Sequence, residues 1–304
     1  MSRRLRLLNW VLLRAARPLM SRVASPAFHR RHFEFAARVY FHAPRGCRAE
    51  AVELGGVPAQ IVRTPQSRAD RTLLYLHGGA FAMGSPRTHR ALVASIAART
   101  GVTGVLPDYR LAPEHPFPAA PDDCLTAYRA LLARGVDPAT LVIGGESAGG
   151  GLVFTLLADI LLEGLPLPAA VFALSPVVDL GFGAATIREN AARDVLLPAN
   201  RVGEVQRHYL AGHDARDPRA SPLFADFHDA PPVAIWAGDT EILLDDARRM
   251  AAHLKDDGVA VRCDILHDLP HAWPIFHNYL PEARETLDEI ADWLSPLWPR
   301  SGES

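Results

Sequence analysis

Leu141-Val142-Ile143-Gly144-Gly145-Glu146-Ser147-Ala148-Gly149-Gly150-Gly151-Leu152-Val153-Phe154 is the stretch on which the fold turns. Leu141–Ile143 is a short apolar run of the kind found in parallel strands buried on both faces. Leu152–Leu162 reads as an apolar helix. Between them lies Gly145-Glu146-Ser147-Ala148-Gly149. A G-x-S-x-G alone is a weak signal, but set between a strand and a helix it predicts a nucleophile elbow. The sharp turn needs glycine beside the serine, because a Cβ would clash there. The hydroxyl is then raised above a sheet, at a helix N-terminus that favours developing negative charge.

Upstream, Leu73–Leu76 is another apolar run, and it leads directly into His77-Gly78-Gly79-Ala80-Phe81. A glycine-rich turn at a strand end can aim N–H groups at one point. With the N–H of Ala148, those of Gly79 and Ala80 are expected to form an oxyanion hole. Strand-like runs continue at Val102–Leu106, Ala170–Leu174, Val233–Trp236 and Val261–Leu266, and Ala51–Leu54 and Ala59–Arg63 flank a Gly55-Gly56 hairpin turn. Helical segments begin near Pro86, at Pro121 and at Ser147. Another runs from Ile242 to Lys255 and stops at Gly258, and the last carries Leu287, Ile290, Leu294 and Leu297 at core spacing. This is the βαβ alternation of a mostly parallel α/β sheet with helices on both faces. Residues 1–45 and about 180–218 stand outside the alternation, and both read as helical cap. The catalytic domain is expected to fill 46–304.

Of the 304 residues 49% are hydrophobic, enough for a large core, and no run of about 18 apolar residues suggests a membrane span. The three cysteines, Cys47, Cys124 and Cys263, have neither metal-ligand nor disulfide-framework spacing, which fits a reducing cytoplasm. The thirteen histidines are dispersed, H-E-x-x-H and C-x-x-C are absent, and no metal site is expected. The net charge of −2 hides an asymmetry. Residues 1–48 hold eleven arginines against one acid, Glu34, a balance of +10 that leaves −12 for the remainder. Leu5, Leu8, Leu12 and Leu19 share one side of a helix there, which predicts packing against the protein itself. Contact of the basic side with a membrane surface is the other reading, whereas a nucleic-acid partner is not expected.

His77–Phe81, Tyr109-Arg110-Leu111-Ala112-Pro113-Glu114-His115-Pro116-Phe117-Pro118-Ala119-Ala120 and Gly145–Gly150 together resemble the bacterial hormone-sensitive-lipase-like esterases. The middle stretch is long and specific, and the resemblance spans about residues 70–298. It implies an α/β-hydrolase fold with an eight-stranded sheet and a helical cap over the active site. It also implies cofactor-free hydrolysis of carboxylic esters of small to medium acyl groups, with lactone hydrolysis as the alternative. Ala80 departs from the family, which more often has a third glycine there. The remaining family positions have structural readings: Asp108 and Arg110 fix a loop, and Asp122 and Asp123 sit in a first helical turn.

The base belongs after the last strand, where His271 fits better than His267 or His277. Four carboxylates compete for the acid: Asp239, Glu241, Asp245 and Asp246. The family pattern lays its aspartate on Glu241, with Asp239 as the competitor, while Asp245 and Asp246 read as helix caps or solvent-facing groups. The predicted catalytic set is therefore Ser147, His271 and Glu241, acting through an acyl-enzyme. A catalytically silent small-molecule receptor and a peptidase or formamidase on the same scaffold are the rivals. An exposed last strand is a candidate homodimer edge.

Overall fold

The computed structural model describes residues 2–298, so residue 1 and residues 299–304 of the expected segments lie outside it. Three helices open the chain: α1 (Arg3–Val11), continued by a π-turn over Leu12–Ala16, α2 (Arg17–Arg22) and α3 (Pro26–Tyr40). Then follow β1 (Arg48–Leu54), β2 (Val57–Arg63), β3 (Thr72–Leu76), α4 (Pro86–Thr100), β4 (Thr103–Pro107), α5 (Ala119–Ala133), β5 (Leu141–Glu146), α6 (Ala148–Leu162) and β6 (Ala170–Leu174). After the short helices α7 (Thr186–Glu189) and α8 (Val202–Val205) come β7 (Val233–Gly238), α9 (Leu244–Asp256), β8 (Val261–Leu266) and α10 (Pro281–Leu294).

The eight strands form one sheet in the order β1-β2-β4-β3-β5-β6-β7-β8. The pairs β1/β2 and β2/β4 are antiparallel, and every pair from β4 to β8 is parallel. Period-two alternation sends Leu74 and Leu76 to the core under α5, α6 and α9. Leu73 and Tyr75 go to the opposite core, under α4 and α10. That double burial explains why the parallel strands read as unbroken apolar runs.

From β3 the chain crosses to β4 on one side, then returns to β5 on the other. The loops after β3 and β5 therefore diverge at a topological switch point, where an open α/β sheet leaves a crevice. The register brings the strand ends level: Leu76 beside Gly145, Glu146 beside Leu174, Gly238 beside Leu266.

Several element boundaries differ from expectation. α5 starts at Ala119 rather than Pro121, since a proline in the first turn sacrifices no helical hydrogen bond. α9 starts at Leu244 rather than Ile242, whose N–H donates to the Asp194 carboxylate at 2.9 Å. Residues 180–218 hold only α7, α8 and single π and 3-10 turns rather than long helices. Side chains organise this segment instead. Asp194 accepts from Leu196 and Leu197 N–H, and Asn190 donates to the carbonyls of Asp239 and Glu241.

Candidate active site

Ser147 sits between the last residue of β5 and the first of α6, with φ 57° and ψ −123°. Its N–H donates to Leu174 O at 2.9 Å, and its carbonyl accepts from Gly151 and Val177. A non-glycine residue at positive φ is costly, so the surrounding bonds must hold the turn. The elbow also needs close approach of α6 to β3. A Cβ on Gly149 would lie 2.1 Å from Leu76 O and 2.5 Å from His77 O.

The His77–Phe81 turn runs beside the elbow. Gly79 has φ +124°, and a Cβ there would lie 2.2 Å from Met83 O. Ala80 and Phe81 are also at positive φ, 54° and 58°. Ala80 thus carries its methyl in the left-handed region that favours glycine. Among the described residues the N–H groups of Gly79, Ala80 and Ala148 have no partner. Gly79, Ala80 and Ser147 line one cavity of about 160 Å³ whose walls are predominantly apolar. Its other walls come from both segments outside the α/β alternation, including Met20, Pro26 and His29 from the first and Phe182, Leu197 and Val202 from the second.

His271 follows β8 and is buried. Its Nδ1 lies 2.6 Å from Glu241 Oε2, and its Nε2 is buried without a protein partner. Burial opposes the His271 cation. The Glu241 hydrogen bond and charge outweigh it, helped by Asp194 and Glu146, so the pKa is raised above the ordinary histidine value. Glu241 is itself held from two more directions: its Oε1 accepts from Ser175 Oγ at 2.7 Å and from Gly238 N–H at 2.5 Å. Ser175 Oγ in turn accepts from Ala272 N–H at 3.2 Å.

Asp239 goes elsewhere. It pairs with the exposed His267 at 2.7 Å and accepts from Asp268 N–H. Asp245 accepts from Thr186 N–H. Asp246 is neither a solvent-facing group nor a cap of its own helix; it is buried and accepts from Val178 and Asp179 N–H. Desolvation pushes its carboxyl up to about 7.

Behind the glycine-rich turn lies a buried polar layer. Glu146 accepts from Gly78 N–H and lies 2.7 Å from His89 Nε2. The His77 ring stacks on both Tyr109 and His89. Burial and the neighbouring His89 lower the His77 pKa to about 3, so that ring is neutral. Tyr109 Oη donates to His77 O at 2.6 Å, and Arg110 grips Asp123 with both arms. The Tyr109–Ala120 stretch thus backs the turn rather than lining the cavity. Asp123 is a loop anchor, not only a first-turn acid.

Sequence reading gave no role to Ser175, Asn190, Asp194 or His89. Each acts through a partner distant in sequence, and only Glu146, the second position of the G-E-S-A-G motif, carried a usable hint. Outside the site, among the described residues, one histidine and two carboxylates gather: Asp226, His228 and Asp257 place ligand-type atoms within 4.8 Å of one another. Asp226 is already paired with His228, and Asp257 already accepts from Phe227 N–H.

The geometry has close counterparts. Residues 73–275 match the family model described as alpha/beta hydrolase fold. An acetyl-hydrolase of Streptomyces hygroscopicus is 38% identical over 81% of this chain and 82% of its own. The putative acetyl-hydrolase LipR of Mycobacterium tuberculosis is 36% identical over 92% of this chain and 90% of its own. Among solved structures, the EstE5 crystal structure superposes with a TM-score of 0.93 at 37% identity, covering 98% of this chain and 99% of that one. An esterase of the bacterial hormone-sensitive lipase family superposes with a TM-score of 0.92 at 37% identity, with the same coverage. A serine on a strained strand-to-helix turn, a sheet of this order and relatives of this kind lead to one assignment: the chain belongs to the hormone-sensitive-lipase-like esterases of the alpha/beta hydrolase fold family and is a serine carboxylesterase.

Proposed function

We propose that Ser147, His271 and Glu241 form the catalytic triad and that hydrolysis proceeds through an acyl-enzyme. His271 Nε2 takes the Ser147 proton as Oγ bonds to the ester carbonyl carbon. The carbonyl oxygen becomes an oxyanion held by the N–H groups of Gly79, Ala80 and Ala148. The intermediate collapses, the bond to the alcohol oxygen breaks, and His271 returns the proton to that leaving group. Water then repeats the sequence on the acyl-enzyme, releasing the acid and restoring Ser147. Glu241 keeps the His271 proton on Nδ1 and stabilises the cation that forms in each half-reaction.

The observation that carries this reading is the buried His271–Glu241 pair at 2.6 Å, whose outer nitrogen Nε2 has no protein partner. An imidazole fixed on one side and unpartnered on the other suits proton exchange with a serine. The segments 1–45 and 180–218 act as the cap, a reading supported by the cavity walls they supply. The substrates are small to medium acyl esters. The modest apolar cavity supports this, as do the acetyl-hydrolase names of two relatives.

The test compares wild type with Ser147→Ala on p-nitrophenyl esters of increasing acyl length, on lactones and on amides, with a fluorophosphonate probe as a label. Ser147→Ala is expected to lose about three or more orders of magnitude in turnover and all labelling, with an unchanged melt. Near-normal turnover in the variant would reject Ser147 as nucleophile. Equal or faster cleavage of long-chain emulsified esters, or of lactones, would overturn the substrate reading.

A further inference from the structure

We infer that the outward faces of α1 and α3 form a docking surface for an anionic lipid bilayer. α1 is fixed to the protein by one side only. Leu5 and Leu12 are buried, Asn9 donates to Asp268 O, and Ser2 binds Glu282. Its other side presents Arg3, Arg4, Arg6, Leu7, Trp10, Val11 and Arg14 to solvent. At helical spacing, Arg3, Leu7, Trp10 and Arg14 make one stripe along it. α3 repeats the arrangement. Ala37 is buried and Arg30 reaches back to Ala82 O, Ala112 O and Glu114, while Phe28, Arg31, Phe35 and Arg38 face outward.

Two facts separate this surface from ordinary exposed helix. First, seven of the ten large hydrophobic side chains that stand exposed among the described residues belong to α1 and α3, with Leu7 at 63%, Trp10 at 59% and Phe35 at 64%. Second, the guanidinium groups of Arg3, Arg4, Arg6, Arg14, Arg22, Arg31 and Arg38 make no hydrogen bond or ion pair with any described residue. Elsewhere ion pairs are common, as in Arg110–Asp123, Arg219–Asp159 and Arg249–Asp179.

Exposed aromatic and aliphatic groups interleaved with unpaired arginines match a lipid interface, where rings enter the headgroup region and guanidinium groups meet phosphates. A second copy of the same face would bring two +10 segments together. A nucleic acid would satisfy the arginines but gain nothing from Leu7, Val11 or Val39. No helix among the described residues is long and apolar enough to cross a membrane, so the contact is peripheral. Met20 and Ala24, between the two helices, and Pro26, the first residue of α3, wall the cavity that holds Ser147, so docking sets that wall beside the bilayer.

The test is co-sedimentation of the full chain with phosphatidylglycerol-rich and with pure phosphatidylcholine vesicles. Trp10 emission is the second readout, since Trp236, Trp273 and Trp298 are buried and Trp293 is partly so. Binding to the anionic vesicles is expected to be at least about tenfold tighter, with a blue shift of Trp10 that high salt abolishes. Leu7→Ser with Phe35→Ser, and separately Arg4→Gln with Arg14→Gln, should each weaken binding by about tenfold. Hydrolysis of a water-soluble ester should stay unchanged in both variants. Equal binding to both vesicle types, or none, would overturn the proposal. So would self-association in solution that the Leu7→Ser/Phe35→Ser variant abolishes, or binding of duplex DNA that displaces the vesicles and ignores the apolar substitutions.

Discussion

Glu241 and Asp239 stand two positions apart after β7, yet each meets a different histidine. The short turn from Gly238 folds Glu241 back toward its own strand end, where Gly238 N–H and Ser175 Oγ fix one oxygen and leave the other for His271. Asp239 points to the exposed His267 and to Asp268 N–H. Glu241→Gln keeps the size but removes the charge that supports the imidazolium. The comparable Asp-to-Asn change in a serine protease costs about four orders of magnitude. A loss of at least about two orders in kcat is expected here, allowing for partial substitution by solvent, whereas Asp239→Asn should cost far less. Kinetics read beside thermal melts check this, and the reverse ranking with both variants folded would make Asp239 the acid. The titration of His271 gives a second prediction. Its pKa is raised, so the acidic limb of the kcat/KM profile should have its midpoint above about 6.5, and activity should fall below it as the base becomes protonated. Stability moves the other way: a histidine with a raised folded pKa stabilises fully below about 6.5, and this is lost as pH rises through the folded value. Asp246, raised to about 7, acts in the same direction between its ordinary value and 7. A pH–rate profile flat down to about 4 would count against a histidine base.

At the scale of elements, the site depends on how closely α6 can approach β3. Gly149 in the first turn of α6 lies against the backbone of Leu76 and His77, and neither carbonyl can give way without moving the end of β3. Gly149→Ala should therefore destabilise by about 2 kcal/mol or more, as overpacking in a rigid site does. For a chain of this size that is a fall in Tm of several degrees, roughly 2–4 °C per kcal/mol. Activity should fall further than stability alone explains, because the carbonyl of His77 immediately precedes the turn that carries the Gly79 and Ala80 N–H groups. A variant with wild-type melting and turnover would show that the strand end yields. Beside this contact, the buried Glu146 carboxylate meets His89, which ties β5 to α4, and accepts from Gly78 N–H. Burial would raise the Glu146 pKa, but His89, with Tyr75 and the Gly78 N–H, outweighs it and leaves the pKa lowered.

Across the whole molecule, much was legible from local pattern. Ser147 stood out because strand, glycine turn and helix follow one another within about a dozen residues, and the physics of that turn is local. The parallel strands were visible because burial on both faces makes them continuously apolar. The turn after β3 was visible for the same reason, as a glycine cluster at a strand end. The residues that needed the tertiary structure are those whose partners lie far along the chain. Ser175 meets Ala272 across 97 positions, Asn190 meets Glu241 across 51, and Glu146 meets Gly78 across 68. No periodicity or spacing encodes such pairs, because they arise when separate βα units are brought level by the sheet register. The N-terminal segment divides in the same way. Its leucine stripe and its charge of +10 are properties of sequence, but which helix face is consumed by packing depends on Asp268 and Glu282, more than 250 positions away. The sequence alone thus determined the strand–turn–helix that carries Ser147, the sheet class and the family. Tertiary structure decided which carboxylate reaches His271 and which arginines remain unpaired, because both are questions of distance through space between groups that the chain holds far apart.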